Sequence, residues 1–161
     1  MYLAYSLLGD ETRRERETHY AMDRMVITAA YVLRGDFDPD EVTGYVSMEP
    51  DARWKRGQPA GLGKHKSSRW KLRSSSDLPP IPDPALEWEP HIQSVLAQLQ
   101  PGWPHFIELG QRFRAHIECT LKVQTHWDPR IVVPRNTVEA ANALNATLVF
   151  NVYYRLLREE T

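Results

Sequence analysis

The chain has a single cysteine, Cys119, among 161 residues. One thiol excludes an intramolecular disulfide and any zinc site built on several thiolates. Its inward place in an alternating segment marks it as inert core. No segment approaches the roughly 18–20 apolar residues of a membrane-spanning helix. The amino terminus, MYLAYSLLGDETRRERETHY, has no basic region before its short apolar run and no small-residue cleavage site after it. It does not read as a signal peptide, so a cytoplasmic location without membrane contact is expected. A surplus of one charge is also missing. Twenty lysines and arginines stand against 21 aspartates and glutamates, a formal net charge of −1. Bulk polycationic attraction to nucleic acid is thereby excluded. Gly57 to Gly63 (GQPAGLG) lacks the lysine-serine end and the immediate helix of a phosphate loop, and no hydrolase nucleophile elbow occurs.

What is present is ordinary for a soluble globular protein: 42% hydrophobic and 25% charged residues. The length suggests one domain with a real core. The expected organisation is an extension over 1–21 carrying the mixed-charge run ETRRERE, a single α+β domain over 22–157, and a polar tail over 158–161.

From Arg24 the pattern changes. Met25 to Leu33 is nearly all apolar and rich in β-branched and aromatic types, which predicts a strand covered on both faces or nearly so. Phe37-Asp38-Pro39-Asp40-Glu41-Val42 carries five cues for a helix start. Asp38 is placed to cap, Pro39 suits the first turn, and Asp40 and Glu41 favour the positive end of the dipole. Glu41 completes a capping box, and Phe37 with Val42 a hydrophobic staple. Val42, Tyr45 and Val46 form the expected buried stripe. Residues 51–66 read as a long loop. Ser68 to Arg73 alternates, with Trp70 and Leu72 inward and Arg69, Lys71 and Arg73 outward. Residues 74–87 hold four prolines and read as an irregular crossing. From Pro90, Ile92, Val95, Leu96 and Leu99 mark an amphipathic helix stopped at Pro101-Gly102. A short helix over 104–109 is expected to close at Gly110. Phe113 to Val123 alternates cleanly, with His116, Glu118, Thr120 and Lys122 on the polar side. His126 to Pro129 turns the chain. A helix over 135–144 (Val138, Ala141 and Leu144 inward) and a strand over 145–154 follow.

The predicted architecture is a two-layer α+β sandwich. A ferredoxin-like mixed or antiparallel sheet of about four strands has its first and last strands inside and helices on one face. A three-layer α/β sheet is the alternative, disfavoured by the polar side of strand 113–123. The other sheet face is left for water or a partner.

Several blocks, in order, resemble a known family: Gly35 to Thr43, Pro50, Trp54 to Gly57, Ser67 to Trp70, the helix from His91 to Leu99, and Leu144 to Leu148. The family is the bacterial one catalogued as domain of unknown function forty-two seventy-nine, and the resemblance spans about Arg24 to Tyr154. It implies a small bacterial or phage-type accessory domain and brings no catalytic residues with it.

Three constellations invite a functional reading. From Arg53 to Arg73 stand eight of the 20 cations, with no acid between Asp51 and Asp77. Arg53, Lys55, Arg56, Arg69, Lys71 and Arg73 are therefore candidates to contact an anionic partner. Trp54 and Trp70 are candidate anchors, although core packing is the preferred role for both. Lys64 and Lys66 read as solvated loop. Asp36-x-Asp38-x-Asp40 resembles a calcium loop, but Glu41 occupies the glycine position and Ser47 the bidentate glutamate position, so helix capping explains it. His116-x-Glu118 resembles half of a zinc deaminase motif without its paired cysteines. On an open sheet face these two are candidate contact residues instead. No metal, cofactor or catalytic set is expected. The expected function is a non-enzymatic protein-binding module, in its most concrete form an immunity- or antitoxin-like or defence-associated protein, acting as monomer or homodimer. Binding of nucleic acid or a phosphate ligand through 53–73 is the second expectation, and an enzyme of unrecognised type the third.

Overall fold

The computed structural model of the chain describes residues 26–75, 78, 87–124 and 130–155. The expected extension over 1–21, most of the proline-rich crossing, the turn at 126–129 and the tail over 158–161 lie outside these residues. In chain order the elements are β1 (Val26–Gly35), α1 (Pro39–Val46), β2 (Ala52–Trp54), β3 (Pro59–Ala60), β4 (Gly63–Lys64), β5 (Ser68–Arg73), α2 (Glu89–Leu99), α3 (Trp103–Arg112), β6 (Arg114–Gln124), α4 (Arg135–Ala143) and β7 (Ala146–Arg155).

The main sheet has five strands in the order β2-β5-β1-β6-β7, and β3 with β4 forms a separate hairpin. β1 is central and antiparallel to both β5 and β6; β6 and β7 run parallel. All four helices contribute to one core with Ile27, Ala29, Tyr31 and Leu33 of β1 and the inward residues of β5 and β6. The domain is thus a two-layer α+β sandwich. Two details differ from expectation. The sheet has five strands, and the last strand lies at the edge. The edge position follows from connectivity: β6 reaches β7 through α4, and such a crossover lays the new strand parallel, beside the one it left.

The start of α1 is capped by Asp38 as expected, but among the described residues Glu41 makes no reciprocal hydrogen bond, so the expected capping box does not close. The Asp38 carboxylate accepts from the Asp40 amide at 3.0 Å, and Pro39 occupies the first turn. Val42 and Val46 are buried, but Tyr45 is exposed and its hydroxyl donates to Glu108. Residues 51–66 are not a plain loop, since they contain the edge strand β2 and the β3–β4 hairpin. Helix α2 ends at Leu99, just before Pro101 and Gly102, as expected. A 3₁₀ turn over Gln100–Gly102 leads into α3, because Pro101 and Pro104 both fall in first turns, where no N–H is needed. In α4 the inward residues are Thr137 and Ala141, and Leu144 just past its end completes the i, i+4, i+7 stripe, whereas Val138 is exposed.

Helix α3 runs through Gly110 to Arg112, and the reason lies in the turn between α4 and β7. A Cβ on Gly110 would stand 2.0 Å from the Leu144 carbonyl oxygen. Asn145 adopts a left-handed conformation (φ 49°), which asparagine tolerates, and its amide donates to the Gly110 carbonyl at 2.8 Å. The helix and the turn are locked at van der Waals contact, which fixes where β6 begins. Gly44, in α1, has open space around its Cβ direction. Gly110→Ala should therefore lower the unfolding free energy by about 2 kcal/mol or more. Gly44→Ala should raise it by about 0.5–1 kcal/mol through helix propensity. Urea denaturation of both variants checks this; equal effects would contradict the close-approach account.

Candidate functional site

The alternation of β1, β5 and β6 sends a second set of side chains to the face away from the core. The register places Arg69, Arg34 and Arg114 side by side across three strands, then Lys71, Val32 and His116, then Arg73, Ala30 and Glu118. With Lys122, six cations and one carboxylate project from these three strands on this face. Among the described residues no helix packs on it.

Val32 is nonetheless fully buried and Ala30 nearly so. The cover comes from the neighbouring strands. Arg69 on β5 reaches diagonally over β1 to Glu118 on β6, with its terminal nitrogen 3.2 Å from each carboxylate oxygen. Lys71 stands 3.8 Å from the same carboxylate. The Arg69 and Glu118 side chains are only 16% and 17% exposed, so this pair is half-sunk in the sheet surface. Burial holds the Lys71 ammonium below its ordinary range; Glu118 opposes that shift, while Arg69, Arg73 and Arg34 add to it. Burial, then Arg34, lowers the His116 pKa below the ordinary imidazole value, with Glu118 again opposing. His116 Nδ1 and Arg69 Nε are buried without hydrogen-bond partners among the described residues.

The expected basic segment divides in two. Arg69, Lys71, Arg73, His116 and Glu118 meet on one face, as the alternation predicted. Arg53, Lys55 and Arg56 do not join them, because each is paired with an acid. Arg53 contacts Asp40 at 3.0 Å and Glu49 at 2.8 Å, Lys55 contacts Asp38 at 2.5 Å, and Arg56 contacts Asp36 at 3.0 Å. The acids that resemble a calcium loop are thus the counter-ions of the cations that resemble a phosphate site. Trp70 is buried core, with its indole N–H donating to Thr43 at 3.1 Å. Trp54 is not core. It sits half-buried on β2, stacked on His65 at 4.8 Å with the Arg69 guanidinium 5.1 Å from its ring centroid. Cys119 faces the core, and burial pushes its thiol up to about 12, which removes it as a nucleophile.

Sequence reasoning missed Arg34 and Arg114. Arg114 was readable by parity, two residues before His116. Arg34 read as the end of its strand, whereas β1 extends to Gly35 and carries it onto the same face. The arrangement can bind anionic groups through cations held in fixed directions. It offers no activated nucleophile among the described residues.

A family model described as Domain of unknown function (DUF4279) matches residues 26–155. No curated protein and no solved structure matches the chain.

The half-buried pair gives a quantitative expectation. Removing the Glu118 charge leaves two partly desolvated cations without their shared counter-ion, so Glu118→Gln should cost about 1–2 kcal/mol of stability, between exposed and buried pairs. Glu139→Gln, which breaks the exposed Arg135–Glu139 pair, should leave the unfolding midpoint unchanged. Parallel urea titrations distinguish the two; a neutral Glu118→Gln would show that the diagonal pair does not hold the face.

Proposed function

The chain belongs to the DUF4279 family, a grouping that fixes no activity, and we propose that it works as a non-enzymatic binding module. It docks the cationic face of its sheet on an acidic surface of a partner protein. The carrying observation is the six-to-one excess of cations over carboxylates among the described residues of β1, β5 and β6 on that face, in a chain whose formal net charge is −1. Charge segregated in this way speeds encounter with a complementary partner and rejects like-charged ones. A protein partner is favoured over nucleic acid by one feature: the Trp54 ring already packs against His65 and Arg69 and is not free to stack on a base. A cytoplasmic immunity- or defence-type accessory role suits a small module of this kind.

Affinity capture from the source cells with the wild-type chain and with Lys71→Glu/Arg73→Glu tests this reading. The wild type should retain a stoichiometric acidic partner that the variant, folded by circular dichroism, does not. No partner, or equal retention by both, overturns it.

Nucleic acid is the second reading. It draws on the exposed Arg34, Arg73 and Arg114, which have no ion-pair partner among the described residues. It requires retention of DNA or RNA in a low-salt gel shift that weakens steeply as salt rises. We expect no such retention, and a steep salt-dependent shift would favour this reading over the first.

A further inference from the structure

At one end of the cationic face lies a cleft of about 840 Å³, between the ends of β1 and β6, the last turn of α3 and the turn before β7. Arg34, Arg112, Arg114 and His116 line it, together with Ser67 and Gln111. Arg34 and Arg114 are directly opposite each other on antiparallel strands. Like charges in that position destabilise a sheet unless something offsets them. Among the described residues no carboxylate does so: Arg34, Arg112 and Arg114 have no ion-pair partner, and Asp36, the one acid in the lining, is engaged by Arg56 at 3.0 Å. Arg112 is steadied by the Phe113 ring, its guanidinium carbon 5.2 Å from the ring centroid. His116 brings a buried Nδ1 that has no hydrogen-bond partner among the described residues.

We propose that this cleft binds a phosphate monoester, with Arg34, Arg112 and Arg114 gripping the phosphoryl oxygens. Guanidinium groups present planar forks of N–H donors that match phosphate oxygens bidentately. Three such forks on two strands and a helix end suit an anion with three free oxygens better than a planar carboxylate with two. The cleft is far larger than inorganic phosphate needs and lies in the range of sites that take small organic ligands, so the organic part of the ester is held as well. Ser67 and Gln111 supply uncharged hydrogen-bonding groups for that part. The ester has two sources, a free small metabolite or a phosphorylated side chain of another protein, and the phosphoryl recognition is common to both.

The site goes beyond the docking face proposed above and does not depend on it. Calorimetric titration of the full chain with inorganic phosphate, ribose 5-phosphate and a phosphoserine peptide, at matched ionic strength against acetate, tests it directly. All three phosphates should bind and acetate should not. Tighter binding of ribose 5-phosphate than of the peptide identifies a metabolite site, and the reverse order a phosphoprotein site. Arg34→Gln/Arg114→Gln should weaken phosphate binding about tenfold or more. Lys122→Gln, on the same sheet face outside the cleft, should leave it unchanged. Amide chemical shifts of the wild type under inorganic phosphate provide a reading that needs no variant, and they should move at residues 34–36, 110–116 and 145. No binding, binding indifferent to the double substitution, or shifts confined to Lys71 and Arg73 would overturn the proposal. Lys71→Glu/Arg73→Glu leaves the cleft lining intact, so loss of partner capture and loss of phosphate binding are separable failures.

Discussion

The ion pair between Arg69 and Glu118 spans the central strand, and much of the exposed architecture follows from that span. β1 is apolar on both sides, yet the described helices cover only one. Leaving Val32 and Ala30 wet would forgo roughly 25 cal/mol for each square ångström of apolar surface. The long side chains of the flanking strands solve this locally. Their methylene stems lie over the small β1 residues while their charged ends meet above them. Such cover is polar on its outer surface and apolar beneath. It also holds Arg69, Lys71 and Glu118 in fixed directions, which a solvated loop cannot do without losing more side-chain entropy on binding.

The opposite face obeys a stricter constraint. Tyr31, Trp70 and Phe106 meet edge-to-face or tilted, with ring centroids 5.3–6.4 Å apart, and Trp88 meets Phe150 in the same manner. Large rings in a one-sided core demand that helices be set at defined heights, and Gly110 against Leu144 sets one of them. The consequence reaches the candidate cleft. β6 starts two residues after α3 ends, so the contact that fixes α3 also fixes Arg112, Arg114 and His116. Packing on one side of the sheet thereby positions charge on the other.

How much of this was legible in the sequence depends on the range of the interaction. The period-two pattern of Ser68 to Arg73 and of Phe113 to Val123 sorted every side chain to its correct face, because alternation is a local property of a strand. The α1 cap was legible for the same reason. Strand order was not, since nothing local states that β7 pairs with β6 at the sheet edge. The hairpin in 51–66 was hidden because two-residue strands have no period to detect. Trp54 misled because its chemistry suits a core, whereas its position on a three-residue edge strand packs it half-buried against Arg69 and His65.

The charge asymmetry shows most clearly what sequence can and cannot say. Eight cations without an intervening acid look like one patch when read along the chain. In space they belong to different electrostatic environments. Arg53, Lys55 and Arg56 fall against Asp36, Asp38, Asp40 and Glu49, acids up to 20 residues upstream, and that group is close to neutral. Such exposed pairs add little stability individually. Their effect is to cancel a field that would otherwise compete for an anionic ligand. Apart from the exposed Lys64 and Lys66, the surplus that remains lies on β1, β5 and β6, including two arginines from outside the basic segment. Opposing like charges on adjacent strands work against the fold, so keeping Arg34 beside both Arg69 and Arg114 costs stability; Glu118 is engaged by Arg69 and Lys71, and no carboxylate among the described residues pairs with Arg34 or Arg114. An anion entering the cleft would relieve that repulsion and gain the pairing energy together. The proposed anion site therefore draws on the strand cations, which are held in fixed directions, and not on the exposed lysines of the longer basic loop.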